Sequence, residues 1–100
     1  MPSPSRVCRV IHVLRSTYLQ SAEVVEQTRP AHLEFLKEEI AAGRLLLAGR
    51  QDNGSGGMLI TADIAIEEAD DMIARDPYTK AGAANYERTS FNGAFRAPGL

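Results

Sequence analysis

Three segments of this chain are apolar at nearly every position, so a sheet built from them has no polar face to turn toward water. Val7-Cys8-Arg9-Val10-Ile11-His12-Val13-Leu14 is rich in β-branched residues, and both of its alternating faces carry apolar side chains. It reads as a strand covered on both sides. Leu45-Leu46-Leu47-Ala48 and Met58-Leu59-Ile60-Thr61-Ala62 behave the same way. The turn-rich Gln51-Asp52-Asn53-Gly54-Ser55-Gly56-Gly57 between them predicts a hairpin with a loop longer than the tightest type.

Helical patterns separate these strands. Arg29-Pro30 followed by Ala31 to Ala42 predicts a helix with Pro30 in its first turn and Gly43 just past its end; Leu33, Leu36 and Ile40 form its buried stripe. Tyr18 to Thr28 carries no clear pattern. Asp63 is placed to cap a second helix from about Ile64 to Arg75, with Ile66, Ala69 and Ile73 on one face. Pro77 disfavours helical geometry at Asp76 and ends it. Asn85 to Phe95, with Tyr86, Thr89, Phe91 and Phe95, favours a last strand. The order is β-α-β-β-α-β, an α+β fold of the ferredoxin-like, split β-α-β kind with a four-stranded antiparallel sheet.

A chain of 100 residues builds one core. Two helices cover one face of a four-stranded sheet, so the other apolar face implies a homodimer in which two sheets pack face to face. In a monomer, long side chains or the C-terminal tail would have to shield it instead. We expect an N-terminal arm over residues 1–5, one domain over 6–96 and a short tail over 97–100.

Charge and cysteine usage exclude several functions. A net charge of −2 with no long run of one sign argues against nucleic acid. Cys8 has no intramolecular partner, which fits a reducing cytoplasm. The apolar run Val10 to Leu14 is interrupted by His12 and is too short for a signal or a membrane span. The glycine-rich loop lacks the Lys-Ser/Thr and the helix start of a phosphate loop, the histidines and carboxylates have no metal spacing, and no nucleophile elbow is present. No cofactor or metal is therefore expected. His12 shares a strand face with Val10 and Leu14, where it is either a satisfied core histidine or part of a cavity wall. Arg15 and Arg50 follow the first and second strands and are candidate contacts for an anionic small molecule, although arginines at strand ends are often plain surface.

Three motifs taken together are more specific. Arg29-Pro30-Ala31-His32-Leu33-Glu34-Phe35-Leu36, then Ala42-Gly43-Arg44-Leu45-Leu46-Leu47-Ala48-Gly49, then Arg75-Asp76-Pro77-Tyr78 with Ala81-Gly82 shortly after, resemble the YCII-related family over most of residues 7–95. The resemblance implies a fold like that of the dimeric α/β-barrel enzymes of aromatic breakdown, and an active-site pair mapping onto His32 and Asp76. It also implies proton transfer on a small hydroxylated aromatic or lactone-like compound, since the family includes a dehydrochlorinase of a chlorinated hydroxyhydroquinone. Related domains attached to other proteins imply an alternative, a non-catalytic binding or regulatory module. The family often has a proline where this chain has Arg50 after Gly49, so the pocket is expected to differ there. Tyr78, within the last motif, is a further candidate substrate contact.

From spacing alone, the plainer reading is that Asp76 caps a turn and His32 is an ordinary half-buried histidine. Read as a pair, Asp76 accepts a proton from one imidazole nitrogen and leaves the other for substrate. A helix N-terminus beside His32 would oppose a charged ring and the carboxylate would favour it.

Overall fold

The computed structural model describes residues 8–100, and the arm expected over residues 1–5 lies outside the described residues. The elements are β1 (Arg9–Tyr18), α1 (Ala22–Ala41), β2 (Leu45–Arg50), β3 (Gly57–Thr61), β4 (Ile64–Ala65), α2 (Ile66–Arg75), α3 (Pro77–Lys80) and β5 (Ala84–Phe91). All strand pairings are antiparallel, with β1 central: β3 pairs with one edge of it, β5 with the other, and β2 lies outside β3. This is the expected ferredoxin-like arrangement.

The two-residue β4 continues β3 along β1 after a slip of register, since Val13 faces Ile60 but Val10 faces Ile64. At the slip the ladder is broken, and the Thr61 hydroxyl accepts the His12 backbone N–H at 2.9 Å in its place. The slip also moves the start of the second helix. Ile64 and Ala65 are drawn into the sheet, so Ala65, not Asp63, occupies the cap position, and its N–H donates to the Glu68 carboxylate at 3.1 Å. Asp63 instead holds Arg96 at 2.5 and 2.6 Å. The buried face of α2 is Ala69 with Met72, while Ile66 is exposed.

The first helix starts earlier than its proline suggests. Ser21 caps it, accepting the Val24 N–H at 3.4 Å, and Pro30 lies inside it. An interior proline costs about 3 kcal/mol. Val25, on the upstream half, packs with Tyr78, Ala83 and Ala84, and this tertiary contact secures the turns before Pro30. Gly43, at φ 78°, supplies the left-handed residue that ends the helix. The buried residues are Val25, His32, Phe35 and Glu39; of the expected stripe, Leu33 and Ile40 are exposed and Leu36 is partly buried.

Leu14, Phe35, Leu45, Leu59, Ile64, Ala69 and Met72 form the main core between the helices and one sheet face. The opposite sheet face carries Val13, Leu47, Met58, Ile60 and Phe91, and of these Leu47 is 56% and Phe91 49% exposed. The last strand ends at Phe91, opposite Ile11 of β1; Phe95, expected within the strand, is fully exposed beyond it. The hairpin loop is held to β1 by close backbone contact: a Cβ on Gly56 would fall 1.8 Å from the Ser16 carbonyl oxygen, so only glycine fits.

Candidate active site

The site is assembled where α1, α3 and the ends of four strands, β1, β2, β3 and β5, meet. Pro77 keeps Asp76 extended (φ −62°, ψ 128°), so Asp76 ends α2 and caps α3 at once, its Oδ1 accepting the Tyr78 N–H at 2.9 Å. His32 reaches it from α1, Nδ1 lying 2.8 Å from the same Oδ1. Tyr86 on β5 donates its phenol to Asp76 Oδ2 at 2.5 Å. Asp76 has no exposure, and three donors satisfy its carboxylate. Burial first, and the Asp76 charge second, push the Tyr86 phenol far above its ordinary range, so it serves as a neutral donor.

This carboxylate determines the histidine's tautomer. An Nδ1–H donated to Asp76 leaves Nε2 of the neutral ring as a free base, and Nε2 has no hydrogen bond to any described residue. The His32 ring stacks on Tyr78 with centroids 4.0 Å apart and planes at 16°, which fixes its orientation. His32 sits in the middle of α1, so the helix N-terminus expected to oppose its positive charge lies turns away.

His32 opens onto a cavity of about 210 Å³ whose other lining residues include Ser16, Tyr18, Arg29, Leu36, Arg50 and Tyr86. It is smaller than the roughly 300–1,000 Å³ of drug-sized sites. Burial raises the pKa of Tyr78, which also lines it. Of the residues singled out from sequence, the structure gathers His32, Asp76, Arg50 and Tyr78 here and leaves two elsewhere. His12 is fully buried on the helix side of the sheet, its Nδ1 2.6 Å from Ser90 Oγ and its Nε2 2.9 Å from the Ile64 carbonyl, so both ring nitrogens are occupied. Arg15 projects from the other sheet face and pairs with Glu87 at 2.9 Å.

Sequence reasoning missed Tyr86, Arg29 and Tyr18 as cavity residues. Arg29 precedes His32 by one helical turn, a spacing that places both on one face. Tyr86 pairs across the sheet with Ser16, and only the β1–β5 register brings it to Asp76.

A split β-α-β sheet with a buried carboxylate–imidazole pair beside a small cavity defines a compact α+β protein with one candidate acid/base site. The YCII-related domain matches residues 10–92, and the chain belongs to that family. Among solved structures it is similar to the 5-chloro-2-hydroxyhydroquinone dehydrochlorinase TftG of Burkholderia phenoliruptrix, in complex with 2,5-dihydroxybenzoquinone; the TM-score is 0.66 at 18% identity, covering 82% of this chain and 93% of that one. That likeness establishes a shared fold. No curated protein matches the chain.

Proposed function

We propose that this protein is a small lyase- or isomerase-type enzyme in which His32, oriented by Asp76, is the general acid/base acting on a small hydroxylated aromatic or lactone-like compound. The observation that carries this reading is the 2.8 Å contact between His32 Nδ1 and Asp76, which leaves Nε2 on the cavity wall. Both groups the proton transfer needs are side chains, so the reading calls on no cofactor.

On a chlorinated hydroquinone the chemistry balances without an oxidant. Nε2 accepts a hydroxyl proton and returns it to the chlorine-bearing ring carbon, giving the keto tautomer. Loss of a second hydroxyl proton then drives out chloride and leaves a quinone, the net change being loss of HCl. An isomerase would stop after the first transfer. The dehydrochlorinase of similar fold supports this choice of substrate class.

The protein should therefore release chloride from chlorinated hydroxyhydroquinones, or exchange ring protons of hydroxylated aromatics in deuterated water, each followed by NMR. Saturable binding of these compounds with neither reaction would assign the non-catalytic binding module instead.

The open apolar sheet face supports a homodimer, two sheets packed face to face through residues such as Leu47, Met58 and Phe91. Light scattering is expected to give twice the 10.9 kDa chain mass, with an interface burying at least about 1,000 Å². A monomer at micromolar concentration would refute it. Among the described residues no helix is long and apolar enough to cross a membrane. A cytoplasmic setting would keep the exposed Cys8 as a thiol.

A further inference from the structure

The cavity has an uneven charge. Two arginines, Arg29 and Arg50, line it, and no carboxylate does. Both converge on one oxygen of Glu26, which lies outside the lining: Arg50 Nη2 is 3.1 Å and Arg29 Nη1 3.8 Å from Oε1. One carboxylate shared between two guanidiniums leaves a net positive charge at the mouth. Arg50 also donates to the Tyr18 hydroxyl at 3.3 Å and lies 5.8 Å from that ring's centroid, which holds its side chain against the cavity rim. Each guanidinium keeps N–H donors unused by these contacts, and each side chain is 45% exposed, so a ligand reaches them without dismantling the protein. Leu33, Leu36 and Leu59 give the remaining wall an apolar surface suited to a ring.

We propose that the cavity takes ring compounds carrying an anionic oxygen group, a carboxylate or an acidic phenolate, held by Arg29 and Arg50 while the ring lies toward His32. The inference deepens the reading of this cavity as the substrate site and names the charge its ligand carries. Arginine suits such a group because its planar fork presents parallel donors to two oxygens. Arg15, on the opposite sheet face, takes no part.

Benzoate and its neutral isostere benzamide separate charge from ring shape. Titrated into the whole protein and followed through the His32 ring resonance, with buried His12 as the reference signal, benzoate is expected to bind about tenfold or more tightly than benzamide. In the double variant R29Q/R50Q the ratio should fall below about threefold, chiefly through loss of benzoate affinity, and raising salt from about 0.05 to about 0.5 M should weaken benzoate alone. Equal affinities, a preference that survives the double substitution, or no response to either compound would overturn the inference. Its failure is distinct from that of the acid/base reading. Turnover of a neutral hydroxylated ring without any benzoate preference removes the anion site alone, whereas an intact preference in a protein that turns over no substrate removes the enzyme alone.

Discussion

His32→Ala is expected to lower turnover by about 10²–10⁴-fold, the usual worth of one positioned acid or base, while the protein stays folded. His32 is 8% exposed and its side chain lies beside the cavity, so its removal enlarges an existing space. In the proposed mechanism Asp76 acts only by positioning the imidazole, since it touches His32 Nδ1 and is not among the residues lining the cavity. Asp76→Asn presents an amide N–H₂ to Tyr86 or to His32, where the carboxylate accepted from both, and should therefore cost stability as well as rate. Tyr86→Phe removes one of three donors and should reduce turnover by less than about tenfold. Steady-state kinetics on one substrate, alongside circular dichroism, orders the three. Full activity in a folded His32→Ala protein would end the catalytic role.

The second large effect concerns stability and lies away from the cavity. Glu39, buried on α1, accepts from Arg44 Nε at 2.9 Å and Nη2 at 2.8 Å, and from Arg75 Nη2 at 3.0 Å and Nη1 at 3.2 Å. It ties the end of α1 to the chain entering β2 and to the end of α2, where the Arg75 guanidinium also lies 5.5 Å from the Phe35 ring. The hydrogen bonds from Arg44, working against burial and joined by those from Arg75, hold its carboxyl at about 2 against an ordinary 4.5. Because the folded state releases this proton more readily than the unfolded one, the contribution is complete above about pH 4.5 and is lost as pH falls toward 2. It amounts to about 2–3 kcal/mol at neutral pH. Glu39→Gln should lower the melting temperature by about 10–20 °C at pH 7. It should also flatten the acid limb, so that urea midpoints of wild type and variant draw together as pH falls toward 2. A constant gap between the two across that range would show that the ion cluster is not the cause.

The motif order around His32, Asp76 and Tyr78 was readable along the chain, because residues within a turn or two of a proline or a helix end are placed by local geometry. Pro77 beside Asp76 is the clearest example: it keeps the aspartate extended and available to the Tyr78 N–H. Pro30 misled for the converse reason. Local chemistry places a proline in a first turn, but the packing of Val25 against Tyr78 and Ala84 carries α1 back to Ala22. Leu33 and Ile40 were expected inside because apolar side chains mark the buried stripe; the stripe rotated to take in Glu39, whose arginine partners lie on other elements.

Composition and periodicity determined the class of fold, the order of its longer elements, though not the short β4 and α3, and the presence of more apolar sheet surface than two helices can cover. They did not decide which face of β1 the helices take, because both faces are apolar and alternation alone sorts residues into two sets without assigning either to the core. Only the tertiary structure decided that, and with it the fate of every candidate on the strand. His12, Leu14, Ser16 and Tyr18 turn toward the helices, so His12 is sealed in the core and Tyr18 reaches the cavity, while Arg15 is left outside with Glu87. Tyr86 follows the same rule through its pairing with Ser16: register, a property of two strands together, carries its phenol to Asp76.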